Sequence, residues 1–246
     1  APVHVEIGLR LNQNAVMTRN AFEASLEIIN GSTDGLTSLR VVVDIHDAND
    51  QPANLLFGVQ RPKLTGLNAV DGTGTLGGLA SGMAQWIIVP TKDAAPTAPT
   101  RYKIGGTLTY RQAGYAIQIP LLYVPIIVFP DARLVVDYFW ERMVYRDDPS
   151  SLAIKPVPFG VGLRMKNIGF GNAWDVVIDS LQPQIVDNTS GLLIDFQVIG
   201  SQVGAQPRSS SLTNRLGDIS AGSSAVAIWL LTASLEGQFT NFSASF

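Results

Sequence analysis

The strongest constraint on the fold of this chain is an internal repeat. Each copy has an alternating strand that ends in asparagine, then a valine-rich strand, and later a Leu-Gly element that leads into an apolar strand with a tryptophan. The matched segments are Leu26–Gly31 with Leu163–Ile168, and Leu76–Gly82 with Leu216–Gly222. Asn30 precedes Trp86 by 56 residues, and Asn167 precedes Trp229 by 62 residues. This shared order predicts two copies of one structural unit.

Short alternating segments, separated by turn residues, run along the whole chain. The first alternates apolar and polar residues from Val3 to Leu11. Others are Phe22–Ile28, Leu39–Ile45, Trp86–Val89, Tyr102–Tyr110 and Tyr115–Phe129. Period-two alternation is typical of half-buried strands, and no segment of ten or more residues has a clean helical stripe. Short strands with Gly, Pro and Asn between them predict an all-β chain of antiparallel sandwiches.

The boundary between the two copies is predicted near Pro130. The second copy begins after this proline with an alternating strand whose apolar members are Leu134, Val136, Tyr138 and Trp140. A seven-stranded sandwich needs about 100 residues. We therefore expect one domain over residues 1–129 and another over 130–246.

Composition excludes several classes of function. The net charge is −3 and no run of Lys or Arg occurs, so a nucleic-acid surface is not expected. The chain has no cysteine, which excludes disulfides, thiolate metal sites and cysteine nucleophiles. The longest apolar run, Ile117–Phe129, is too short to span a bilayer and contains two prolines, so no membrane insertion is expected. Because the chain starts with Ala1-Pro2, we expect a processed product or an excised piece.

The turn after the asparagine carries a family resemblance. Asn167, Gly169 and Gly171 form an Asn-x-Gly-x-Gly pattern that predicts a hairpin turn. With the segments Val161–Asp179 and Leu216–Trp229, this pattern resembles the bacterial cell-surface repeats of the CARDB and related immunoglobulin-like families. The resemblance implies two tandem immunoglobulin-like antiparallel β-sandwiches with an extracellular adhesive or spacer role.

An acidic loop in the first copy is a candidate metal site. Its oxygen-bearing residues are Asp44, Asp47, Asn49 and Asp50. Oxygen ligands one to three residues apart are typical of calcium loops, and the stretch 47–50 is similar to a calcium segment of cadherins. The same residues are also typical of an Asp/Asn-rich β-turn without metal. Asp147 and Asp148 form a second, weaker calcium candidate.

Catalytic patterns are missing from the sequence. The two histidines, His4 and His46, have no metal-binding spacing, and no Gly-x-Ser-x-Gly elbow is present. We therefore expect no enzyme and no cofactor other than calcium. Exposed aromatic rings can stack on sugars, and the candidates for such a platform are Tyr138, Trp140, Tyr145 and Trp174. Core packing is the alternative role for Tyr138 and Trp140, which share a strand face with Leu134.

The function predicted from these observations is a structural or adhesive tandem module of a larger extracellular or cell-surface protein. The expected partners are neighbouring domains and identical chains. The apolar segment Tyr115–Phe129 is a candidate for cover by a neighbouring subunit, as in a homo-oligomer or fibre. A chain with only 15% charged residues has few charges with which to protect its strand edges. The alternative is a carbohydrate-binding module or the accessory domain of a secreted enzyme.

Overall fold

The computed structural model describes residues 5–141, 143–145, 156–185, 195–234 and 237–245, with backbone only for 180–185, 237–243 and 245. The chain divides into two compact units, which we call unit 1 (residues 1–131) and unit 2 (residues 132–246). The described residues form strands and two short 3-10 turns, Asn54–Leu56 and Lys92–Ala94. No described helix is long and apolar enough to cross a membrane. The prediction of an all-β, immunoglobulin-like sandwich fold is confirmed.

Ten strands are formed by the described part of unit 1, residues 5–131. They are β1 (Val5–Leu11), β2 (Ala15–Met17), β3 (Phe22–Asn30), β4 (Leu36–Asp47), β5 (Phe57–Val59), β6 (Lys63–Thr65), β7 (Asp71–Leu76), β8 (Ser81–Pro90), β9 (Thr100–Gln112) and β10 (Tyr115–Phe129). One sheet has the order β1-β3-β8-β5, with β6 also paired to β8, and the other has the order β2-β10-β9-β4-β7. All pairs are antiparallel except β2 with β10.

The core of unit 1 lies between its two sheets, because alternate residues of each strand point inward. Leu26 and Ile28 of β3 and Ile88 of β8 are completely buried. Ile104 and Leu108 of β9 are also completely buried and contribute from the second sheet. The hairpin between β9 and β10 has a two-residue turn with positive φ at both Ala113 (47°) and Gly114 (84°). This is the type I′ geometry that matches the twist of the flanking strands.

The described residues of unit 2 also form ten strands. They are β11 (Leu134–Trp140), β12 (Met143–Val144), β13 (Phe159–Asn167), β14 (Ala173–Ile178), β15 (Ser180–Ile185), β16 (Phe196–Val203), β17 (Gln206–Arg208), β18 (Asn214–Ile219), β19 (Ser224–Ala233) and β20 (Gly237–Ser245). Their sheets have the orders β11-β13-β19-β16-β17, β12-β20-β15 and β14-β18. Trp229, Leu163 and Val161 are completely buried in the core.

The strands of the two units correspond. β1, β3 and β8 lie side by side in the same order as β11, β13 and β19. β4 pairs with β7 and β9, while β14 pairs with β18 and β15 pairs with β20. β20 therefore has the place of β9. Among the described strands of unit 2 none corresponds to β10, and β12 pairs directly with β20.

The turn predicted as a hairpin has a different role. β13 and β14 belong to different sheets, so the segment after Asn167 carries the chain across the sandwich. The hairpin prediction was wrong, because β13 and β14 do not pair with each other. The side chain of Asn167 is buried, and its hydrogen bonds hold the crossing segment in place. β3 and β4 are joined in the same way after Asn30.

Candidate functional site

The acidic loop at the end of β4 forms a β-turn held by its own first residue. Asp47 Oδ1 accepts the backbone N–H groups of Asn49 (2.8 Å) and Gln51 (2.9 Å). The Asp47 N–H donates to the Gln51 carbonyl at 3.0 Å, and Asp50 has a positive φ of 63°. Aspartate that accepts backbone N–H groups from the next few residues stabilises a turn, and asparagine or aspartate tolerates this left-handed backbone better than other side chains.

The other carboxylates of this loop have different partners. Asp50 forms an ion pair with Lys103 of β9. The hydrogen bond from Lys103, followed by its positive charge, lowers the pKa of the Asp50 carboxyl from its usual value. Asp44 lies two residues before His46 on β4, and its negative charge adds to burial in raising the pKa of the Tyr123 hydroxyl.

The fit of this loop to calcium can be judged from its oxygens. Asp47 Oδ1 is already saturated by backbone donors, and Asp50 is neutralised by Lys103. The described residues contain no group of three His, Asp or Glu side chains that could hold a metal ion. The observed arrangement is that of the β-turn alternative, and calcium at Asp44, Asp47, Asn49 and Asp50 stays a prediction. Asp147 and Asp148 lie outside the described residues.

The surface beside this loop contains Tyr123, a residue that the sequence did not single out. Tyr123 lies in a bulge of β10, where the pairing with β9 shifts between Leu121 and Val124. Its ring centroid is 5.2 Å from that of His46, and Lys103 Nζ is 5.0 Å from the ring centroid. Burial is the main cause of the raised pKa of Tyr123. We call Asp44, His46, Asp50, Lys103 and Tyr123 the Tyr123 cluster.

Gly105 makes room for the Tyr123 ring. A Cβ at residue 105 would lie 2.5 Å from Tyr123 Cδ1 and 2.7 Å from Cε1, far inside contact distance. The sequence signals for this arrangement are the Gly105-Gly106 pair in β9 and the break in apolar alternation at Leu121-Leu122 in β10. Glycine in a strand often marks such a close approach.

The four aromatic candidates for a sugar platform have different environments. Tyr138 and Trp140 are half-buried and pack against the core of unit 2, as the packing alternative predicts. Trp174 of β14 is 65% exposed, and Tyr145 is 47% exposed. Only Trp174 and Tyr145 therefore present large aromatic surfaces to solvent among these four.

A groove in unit 1 is lined by both polar and apolar residues. Its volume is about 740 Å³, and Arg40, Arg61, Asn68, Asp71, Leu64 and Trp86 are among its lining residues. The pKa of the Asp71 carboxyl is lowered by hydrogen bonds from the side chain and backbone of Thr73. This groove was not predictable from the sequence, because its lining residues come from four separated segments.

Comparisons with known proteins give only distant similarities. No family model matches the chain, and no curated protein matches it. Among solved structures, the major pilin subunit of Bacillus cereus aligns at 10% identity with a TM-score of 0.36, over 67% of this chain and 59% of that one. A Salmonella enterica structure of the SafA pilin in complex with the SafB chaperone aligns at 13% identity with a TM-score of 0.33, over 100% of this chain and 97% of that one. A family 123 glycoside hydrolase from Clostridium perfringens aligns at 9% identity with a TM-score of 0.33. That alignment covers 53% of this chain and 27% of the enzyme.

Proposed function

We propose that this chain is a tandem structural or adhesive module of a larger extracellular or cell-surface protein, without catalytic activity of its own. The observation that carries the proposal is the same buried crossing turn in both units, built on Asn30 and on Asn167. Two sandwiches with a common plan, each with its own core, suit a protein that repeats one module to gain length or surface. The CARDB-like pattern in the sequence is part of this proposal.

The exposed face of β10 supports a neighbouring subunit as partner. Leu122 is 87% exposed and Tyr115 is 75% exposed, although both lie in a long apolar strand. Large apolar side chains exposed to solvent can mark interaction sites. In a fibre or homo-oligomer, an identical chain would cover this face.

Cell labelling tests the surface role. Antibodies raised against the folded chain are expected to label intact, unpermeabilised cells of the source organism. Labelling that requires permeabilisation would contradict a surface location.

Light scattering tests the proposed partner, an identical chain. We expect the chain to self-associate at high concentration and Leu122→Asp to reduce that association. Leu55→Asp is the control, because Leu55 is 98% exposed and lies outside β10. A strict monomer at every concentration would contradict the oligomer.

Carbohydrate binding is the second candidate, and the exposure of Trp174 favours it. An indole ring with two thirds of its surface in solvent can stack on the apolar face of a sugar. A glycan array with the intact chain, repeated with Trp174→Ala, tests this function. The result expected from sugar stacking is a signal that Trp174→Ala abolishes and that Phe170→Ala, which removes another exposed ring, leaves in place.

A further inference from the structure

The groove in unit 1 presents several unpaired hydrogen-bond donors. Arg40 and Arg61 are exposed, and neither forms an ion pair within the described part of the chain. Asn68 Oδ1 accepts the Thr75 N–H at 2.7 Å, which leaves the Asn68 amide N–H₂ as its free group. Two arginines, an amide and one carboxylate give this groove a positive balance of charge.

Trp86 adds a donor from a largely buried side chain. Its side chain is 95% buried at the groove, since only 5% of the residue is exposed. Its indole N–H makes no hydrogen bond within the residues that the structure describes. The Nε1 atom itself reaches solvent, so this N–H is available to an acceptor that enters the groove.

Unit 2 provides an internal reference for this groove. Trp86 pairs across the sheet with Ala24, six residues before Asn30, and Trp229 pairs with Val161, six residues before Asn167. In unit 2 the Trp229 N–H donates to the Ser211 carbonyl at 3.0 Å, and the residue is completely buried.

Arg40 of the groove is also specific to unit 1. Arg40 lies ten residues after Asn30, and the residue ten positions after Asn167 is Val177. Unit 1 therefore departs from the common plan in two ways at one place: the Trp86 N–H has no acceptor among the described residues, and a cation replaces an apolar side chain.

We propose that this groove binds a carboxylate-bearing sugar, that is, a uronic-acid residue of an acidic glycan. The carboxylate pairs with Arg40 and Arg61, whose planar guanidinium groups suit carboxylates. Sugar oxygens accept from the Trp86 indole N–H and the Asn68 amide, while a sugar hydroxyl donates to Asp71. The apolar face of the sugar ring contacts Leu64. A volume of about 740 Å³ is sufficient for such a ligand.

This inference does not depend on the surface role proposed above, because a module in any location could bind the same ligand. It also differs from the Trp174 candidate, which lies in unit 2 and has no cation requirement. Failure of either proposal would therefore leave the other intact.

Titration of the intact ¹⁵N-labelled chain with trigalacturonic acid tests the proposal. We expect saturable binding, a shift of the Trp86 indole N–H signal (assigned with Trp86→Phe), and weaker binding as salt concentration rises. The double variant Arg40→Gln/Arg61→Gln is expected to lose at least about tenfold in affinity, since charge-assisted hydrogen bonds are the strong ones. Arg10→Gln, an exposed arginine of β1 outside the groove, is the matched control and should bind like the unaltered chain.

Three results would overturn the proposal. One is an unmoved Trp86 indole signal at saturating trigalacturonic acid. Another is equal affinity for neutral trigalactose, or for the double variant when its spectrum shows an intact fold. The third is an equal response to a tri-glutamate peptide, which would assign the groove to acidic peptides and not to sugars.

Discussion

Asn30 and Asn167 occupy the same place in the two units and make the same three hydrogen bonds. Each is at most 1% exposed, and each Nδ2 donates to the carbonyl four residues later, of Asp34 (2.9 Å) or Gly171 (2.8 Å). Each Nδ2 also donates to a distant carbonyl, that of Gly77 for Asn30 and that of Ile219 for Asn167. Each Oδ1 accepts the backbone N–H two residues later, from Ser32 for Asn30 and from Gly169 for Asn167. One buried amide thus satisfies the backbone of a segment that crosses the sandwich.

Asn30→Ala is expected to lower the free energy of unfolding of unit 1 by about 3 kcal/mol, since it leaves buried carbonyl groups without donors. Urea denaturation followed by circular dichroism measures this change. Asn20→Ala, an exposed position in the same unit, is the control and should change stability by less than about 0.5 kcal/mol. Equal effects of the two substitutions would show that the buried amide is not needed.

Gly105→Ala is expected to destabilise unit 1 by about 1–3 kcal/mol, because the new Cβ collides with the Tyr123 ring and forces it to move. Removal of the ring should relieve the collision, so Gly105→Ala in a Tyr123→Ala background should cost clearly less. Thermal unfolding of the four chains in this double-mutant cycle measures the coupling. Gly58→Ala is the control, since its Cβ would meet only the Val89 carbonyl oxygen at 3.8 Å.

Much of the fold is readable from the sequence because period-two alternation reports which face of a strand is buried. In β3, Phe22, Ala24, Leu26 and Ile28 alternate with polar residues, and all four are buried. The pairing partners are less readable. The Asn167 turn has the glycines of a hairpin, but the buried amide that directs the chain to the other sheet makes contacts across 52 residues of sequence.

The sites were less predictable than the strands because they join distant segments. The acidic loop was visible as a cluster, but its ion pair joins Asp50 to Lys103 of a separate strand. The position of Tyr123 depends on a bulge and on a glycine in the facing strand. The exposure of Trp174 and the burial of Trp229 could not be separated by residue type, since both lie in alternating strands.

Lys103→Met is expected to raise the pKa of Asp50 towards its ordinary value, because the hydrogen bond and the positive charge that lower it are removed. A carboxyl with a lowered pKa in the folded state stabilises the fold above the unfolded pKa of about 4 and loses this contribution as pH falls through the folded value. The acid limb of the stability profile should therefore become shallower in Lys103→Met. Carboxyl ¹³C signals of Asp50 from pH 2 to 6 measure the shift, and an unchanged pKa would contradict the pairing.

Calcium titration of the same signals decides between the two alternatives for the acidic loop. We expect the carboxyl and amide signals of Asp47, Asn49 and Asp50 to stay in place at millimolar calcium, because Asp47 Oδ1 already accepts two backbone N–H groups and Asp50 pairs with Lys103. A saturable shift of these signals, reversed by a chelator, would establish a calcium loop at residues 44–50. Magnesium at the same concentration controls for ionic strength.

Backbone amides of β20 are expected to exchange with solvent faster than those of β9, although the two strands correspond. β9 is paired on both sides, with β4 and with β10. On the side away from β15, the described pairing of β20 covers only Gly237 and Gln238, through β12. Alternate N–H groups from residue 239 to 245 therefore point away from any described strand, and an edge N–H without a partner exchanges readily.

Hydrogen exchange read by NMR on the intact chain should show slow exchange throughout Ile104–Tyr110 and an alternation of slow and fast amides along residues 239–245. Uniformly slow amides in both strands would mean that the edge of β20 is already covered.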